Sequence, residues 1–397
     1  PLDSAYARAM EALADDHPDD TDALTLFAAS LMNLSPWNYW TGDFGDRRPR
    51  PDTPGILAAL ERALELDADH PGACHYYIHA VEAGEPEKAV ACAERLADLM
   101  PAAGHIVHMP GHIYIRVGRY ADAVRTNEHA VHADETYIAD RRPGGLYPTA
   151  YYPHNYHFMA FAATMAGMGE KAMWAARRVA PKVPVEVARE VPWIQNIVVL
   201  PQLTAVTFGR WDEALDAPMP PADLDNATAL AHYARGVAFA ATGRPEEAAA
   251  EAEALSEIAA RTDAGDAEPS DPTVVVAIAG HVLAGEIALR EDRAGEAVGH
   301  LEAAARLEDG MTYEEPPLWY HPVRHALGRA LLEAGRPGEA ERRYREDLAK
   351  FPDNGWSLHG LAVALEAQGR GEEAREVRAT LDRAWRDADT RLTASRL

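Results

Sequence analysis

Histidine carries the chemistry in this sequence. There are 17 in 397 residues, and seven of them fall in three short segments. The first is His75-Tyr-Tyr-Ile-His79-Ala-Val-Glu82, where spacings of four and seven stack two imidazoles and a carboxylate on one helical face. The second is His105-Ile-Val-His108-Met-Pro110-Gly-His112-Ile-Tyr114-Ile-Arg116, and the third is His154-Asn155-Tyr-His157. Imidazole is the commonest protein ligand for transition metals, and a shell of imidazoles with one carboxylate suits zinc, copper, nickel or iron. The two cysteines, Cys74 and Cys92, are too few for a disulfide framework or a thiolate-built zinc site. A metal held here would sit in an open nitrogen–oxygen site of the reactive or transport kind. A weaker fourth cluster is Trp319-Tyr320-His321-Pro-Val-Arg-His325.

A repeat positions these segments. A small residue, four others and then Ala recur as Gly84/Ala89, Gly118/Ala123, Gly167/Ala172, Gly209/Ala214, Gly243/Ala248, Asp292/Ala297, Gly335/Ala340 and Gly369/Ala374. Successive spacings are 34, 49, 42, 34, 49, 43 and 34 residues. The 34-residue step is that of a helix–turn–helix unit, and the longer steps add a loop. The order 34, 49, 42 recurs as 34, 49, 43, which points to a duplicated block of three units. Each unit reads as two antiparallel helices, with Gly in the turn and a small Ala where the helices touch. Pro101 and Pro352, each twelve residues after that Ala, close second helices.

On these residues the chain resembles the tetratricopeptide-repeat family over nearly its whole length. The resemblance implies an all-α, right-handed superhelix of about eight helix pairs. It departs from the family in long segments at 35–54, 136–153 and 262–272. The expected organisation is an N-terminal segment 1–54, read as an incomplete repeat plus loop, a first block 55–208 and a second block 209–397. The segment upstream of His17-Pro18-Asp19-Asp20 reads as a second helix without its partner, so the natural protein is expected to continue before Pro1. In the resembled family, positions thirteen, ten, six and two before the turn residue line a concave groove. That places His105, His108, His112, His154 and His157 in one hollow, edged by Arg116 and Glu82. Pro110 is expected to start or kink a helix and leave His105 on a mobile approach.

The histidine segments also resemble a histidine-rich bacterial branch of the family with motifs of the form H-x-x-H-M-P-x-H-I, which implies a shared site but no named reaction. The expected metal ligands are His108, His112 and His157, with His75, His79, His105 and His154 completing or supporting the shell. Glu82, Arg116 and Tyr152 are the candidate catalytic side chains. Arg116 would bind an anionic group on a substrate, and the tyrosine-rich insertion would act as a lid. Copper, iron and zinc are the candidate ions, with copper or iron favoured.

Other readings stand beside this one. His79 lies on the packing side of its helix and can be a core histidine. His129 and His132 belong to a second helix and read as solvated, and His17, His70 and His300 as loop or exposed positions. Cys74 reads as a small buried hydrophobe, and Trp37-Asn-Tyr-Trp40 as core. The hollow could grip a partner peptide with no metal and no catalysis. The sequence leaves open whether the centre is enzymatic, with an oxidoreductase as one option, and what the oligomeric state is.

Composition narrows the partners. Thirty-eight basic against 63 acidic residues give a net charge of −25. Such a surface repels phosphate backbones and anionic lipid, so neither nucleic acid nor membrane is the expected partner. No apolar run reaches the roughly 20 residues of a membrane span, and the cytoplasm is the expected compartment. A phosphate-cradling Gly loop with its Lys, G-x-S-x-G and H-E-x-x-H are all missing, which argues against phosphoryl transfer and serine hydrolysis.

Overall fold

The computed structural model describes residues 2–42, 47–268 and 271–397. Parts of the long segments expected at 35–54 and 262–272 therefore lie outside the described residues. The architecture is all-α, as the repeat pattern implies. Among the described residues the one sheet is a two-residue antiparallel ladder, Trp40–Thr41 against Arg48–Pro49. No helix among them is long and apolar enough to cross a membrane.

The repeat signature becomes geometry directly. Gly118, Gly167, Gly209, Gly243, Gly335 and Gly369 all have positive φ, and Asp292 takes the same left-handed shape at φ 58°. The eight alanines five residues on are all buried, none more than 1% exposed. They sit where paired helices cross and a larger side chain would push them apart. Gly84 is the exception to the turn rule and has another reason to be glycine. A Cβ there would lie 2.3 Å from the ring of Trp40, which docks on the helix Pro71–Val81 and donates its indole N–H to the Ala80 carbonyl at 2.8 Å.

The chain divides into two compact units, Pro1–Gly144 and Gly145–Leu397. That division differs from the blocks 55–208 and 209–397, which follow repeat register and not packing. In the first unit, Leu2–Asp16 ends ahead of His17, and Asp20 caps Thr21–Met32 by accepting from the Ala23 N–H. Thr21–Met32 packs on Thr53–Leu66, forming a pair beyond the eight turns read from sequence. The pairs Pro71–Val81/Val90–Leu99 and Gly104–His108, Pro110–Arg116/Tyr120–Arg141 follow.

Among its described residues the second unit stacks six pairs. They begin with Tyr152–Met165/Gly169–Val179 and end with Gly355–Ala367/Gly371–Ala384. One expectation about loops is corrected here. The segment 136–153 is mostly helical, because Tyr120–Arg141 runs on well past Thr136 and a π-helical turn, Tyr147–Tyr151, leads straight into Tyr152–Met165. His70 is at a loop position, as read, and has a task there. Its Nδ1 accepts from the Ala73 N–H at 3.0 Å and caps the helix that carries His75 and His79.

A candidate metal centre in the first unit

Two neighbouring helix pairs bring seven of the sequence-predicted residues together. Helix Pro71–Val81 supplies His75 and His79, with Glu82 at its C-cap. The two short helices Gly104–His108 and Pro110–Arg116 supply His105, His108, His112 and Arg116. Pro110 opens the second of these, where its missing N–H costs nothing. Met109 between them keeps helical dihedrals, so the path is nearly continuous. His105 is therefore held on a helix, correcting the expectation of a mobile approach.

The five rings form one connected group. His75 Nε2 lies 3.1 Å from His105 Nε2, and His108 Nε2 lies 2.9 Å from His112 Nε2. His79 bridges the two pairs, with ring centroids 5.1 Å from His75 and 5.2 Å from His112. Ligand atoms of His75, His79 and His105 all lie within 4.8 Å of one another, and so do those of His79, Glu82 and His112. The first trio is half-buried; His108 and Glu82 lie deep in the unit.

A hydrogen bond sets the tautomer of His108, and a neighbouring carboxylate that of His112. His108 Nδ1 donates to Asn127 Oδ1 at 2.8 Å, and the Asn127 amide is oriented because its N–H donates to the Ala123 carbonyl at 2.8 Å. The lone pair of His108 is therefore on Nε2. His112 Nδ1 lies 2.7 Å from Glu82 Oε2, close but off-axis for a hydrogen bond, and an ionised carboxylate on that side keeps the proton on Nδ1. Both Nε2 lone pairs consequently face each other at 2.9 Å. That arrangement is repulsive unless a proton or a metal cation sits between them. Metal–nitrogen bonds of about 2.05 Å place two cis ligands 2.9 Å apart at an angle of about 90°.

The electrostatics disfavour charge on His75 and His105 and keep Glu82 ionised. Burial, followed by the charges of His79, His105 and His112, holds the His75 imidazolium well below its ordinary range. Burial and the neighbouring rings bring His105 down to about 4. Burial by itself would raise the Glu82 carboxyl, but His112 and His79 outweigh it and bring it to about 2. Glu82, with His79 Nδ1 3.2 Å from its other oxygen, is thus a fixed anion that orients imidazoles. Arg116 is buried and its Nε donates to the Glu82 carbonyl at 3.1 Å, which ties the two helix pairs together.

The remaining expected site residues belong to the second unit. His154 and His157 are half-buried on Tyr152–Met165, and burial lowers His157 to about 4. Tyr152 packs edge-on against Tyr156, with the Lys182 ammonium 4.5 Å from its ring centre. His129 and His132 are exposed, as read. Asn127 escaped the sequence reading, although a signal for it exists: it is a polar residue within the buried stripe Tyr120, Ala123, Val124, Ala130, Val131 of its helix. The fourth cluster is a buried polar network. His325 lies 3.2 Å from His321 and 2.9 Å from Asp347, whose carboxylate also accepts from Ser357 at 2.7 Å.

Family models of the tetratricopeptide repeat match residues 331–392 and 229–254. These matches support the tetratricopeptide-repeat family, and such repeats suggest a scaffold. No curated protein matches the sequence. Among solved structures, a human IFIT1 dimer with m7Gppp-AAAA is 13% identical with a TM-score of 0.37, covering 97% of this chain and 78% of that one. The Cut9–Hcn1 hetero-tetramer of the APC/C is 10% identical with a TM-score of 0.38, covering 93% and 80%. A Naa15/Naa10 complex with HypK is 13% identical with a TM-score of 0.34, covering 95% and 60%. Likeness at this level says nothing about ligands.

Proposed function

We propose that the first unit is a metal-binding tetratricopeptide-repeat module in which His108 Nε2 and His112 Nε2 hold one transition-metal ion. The single observation that carries this reading is the 2.9 Å approach of the two Nε2 atoms, with Asn127 and Glu82 against the outward nitrogens. A ligand imidazole oriented by a carbonyl or carboxylate on its other nitrogen is the usual second layer of a metal site. The half-buried rings His75, His79 and His105 line the approach and supply further nitrogen ligands. Nitrogen donors with one carboxylate suit copper, iron or zinc. A small molecule reacting at an open position of the ion would make the module a metalloenzyme, and the histidine-rich branch with the H-x-x-H-M-P-x-H-I motif would share the site.

Metal analysis of protein purified without chelator tests this reading. Close to one copper, iron or zinc ion per chain is the expected result. Failure of the demetallated protein to take up any of these ions at micromolar concentration would overturn it. The second reading, a scaffold that grips a partner peptide without catalysis, is favoured by the repeats themselves and would then stand.

A further inference from the structure

The second unit contains a different kind of site, and it is occupied. After the helix Gly371–Ala384 the chain has no regular structure, yet residues 386–397 do not lie loose on the surface. The Asp389 and Thr390 N–H groups donate to the Gly167 carbonyl, and the Asp389 carboxylate accepts from the Gly169 and Glu170 N–H groups at 2.6 and 3.0 Å. Ser395 Oγ donates to the His325 carbonyl at 2.9 Å and lies 2.7 Å from the Tyr344 hydroxyl. Arg396 is only 3% exposed.

Its guanidinium is read on three sides. Nε donates to Glu286 Oε1 at 3.3 Å, one terminal nitrogen lies 3.1 Å from His321 Nδ1, and the other donates to the Tyr233 hydroxyl at 2.8 Å. The Tyr233 hydroxyl is fixed in turn by Tyr320 at 3.1 Å. Three acceptors arranged around one plane match a guanidinium and not an ammonium. The pocket is also larger in hydrogen-bonding capacity than its occupant. The Trp319 indole nitrogen, in the ring cluster with Tyr233, is buried with no hydrogen-bond partner among the described residues, and Glu286 Oε2 has only the Arg329 guanidinium at 3.9 Å. By the 125-residue offset between the blocks, Tyr233 stands where the first block has His108.

We propose that this pocket is an arginine-recognition site for an extended peptide carrying a small hydroxyl residue followed by arginine, and that residues 386–397 occupy it in cis as a resident competitor. An irregular segment held by side-chain anchors and isolated backbone bonds is the binding mode of a peptide in a preformed groove, not of an element that builds the core. The strongly acidic chain favours a cationic partner in trans. The proposal concerns the second unit alone and does not depend on the metal reading.

The probe is a fluorescein-labelled synthetic peptide of residues 386–397, titrated by polarisation into the full chain and into its Arg396→Ala variant, with near-ultraviolet circular dichroism as the folding check. The variant is expected to bind it at least about tenfold more tightly than the intact chain, because the competitor has lost its anchor. A peptide carrying Arg396→Lys should bind the variant at least about tenfold more weakly than the parent peptide. Equal binding of both peptides, equal binding by both proteins, or a folded variant that binds neither would overturn the proposal. Should the variant unfold, hydrogen exchange on the intact chain decides. Excess parent peptide should raise exchange in residues 386–397 while the Lys peptide does not, and no rise with the parent peptide would overturn the proposal.

Discussion

Replacing His112 by Ala is the sharpest perturbation of the first unit. The substitution removes one of two nitrogens 2.9 Å apart and leaves Glu82 facing an empty volume. If the pair holds the ion, the loss should exceed the roughly 10–100-fold typical of an outer-layer change, so more than about 2.7 kcal/mol at 1.36 kcal/mol per tenfold. Asn127→Leu provides the internal scale. It leaves both nitrogens in place but frees the His108 ring to rotate, and should cost about 10–100-fold, or 1.4–2.7 kcal/mol. His75→Ala, in the half-buried trio, should cost less than Asn127→Leu, while exposed His129→Ala should change nothing. Competition against a chromogenic chelator measures all four, with far-ultraviolet circular dichroism confirming that the helices survive. Binding should weaken at acid pH, because protonated imidazole cannot ligate. If His112→Ala binds as well as the parent while His75→Ala abolishes binding, the tautomer argument is wrong and the half-buried trio is the site.

Three further outcomes follow from the packing. His157, lowered to about 4 by burial, stays neutral in the folded chain while the unfolded chain takes up a proton below about pH 6.5. Stability should therefore fall between about pH 6.5 and pH 4 by up to about 3 kcal/mol, and urea titrations should show that His157→Gln loses that part of the slope. Gly84→Ala places a Cβ 2.3 Å from Trp40 and should cost about 1–3 kcal/mol, with a change in tryptophan emission as the indole leaves the Ala80 carbonyl. An unshifted melting temperature would refute that packing. Asp347→Ala leaves His325, Asn354 and Ser357 without their shared acceptor and should cost about 3 kcal/mol or more in chemical denaturation. A loss below about 1 kcal/mol would show the network to be ornamental.

The repeat architecture was legible because its signals are local. A turn that demands positive φ and a helix crossing that demands a small side chain recur at fixed offsets, and all eight alanines landed where the offset put them. The histidine segments were legible for the same reason, since spacings of three, four and seven on one helix decide which rings share a face. What stayed hidden depended on partners distant in sequence. Asn127 is nineteen residues from His108, and nothing in its own helix says which ring it orients. Gly84 looked like one more turn residue, whereas it answers to Trp40 in a segment 44 residues earlier. Arg396 lies 110 residues from Glu286 and carries no local pattern at all. The tyrosine-rich insertion was misread because Gly and Pro punctuate it, while the long helix before it simply continues.

His79 belongs to the half-buried trio and also to the group with Glu82 and His112, and Glu82 is a carboxylate in contact with these rings. If the metal reading holds, that sharing limits occupancy. Two dications about 5 Å apart, in an effective dielectric of about 20, would repel by about 13 kcal/mol, against the negative charge of Glu82. Filling one position would then oppose filling the other. The half-buried trio and the deeper pair would be successive addresses of one ion. His79, within reach of both, would be the step between them.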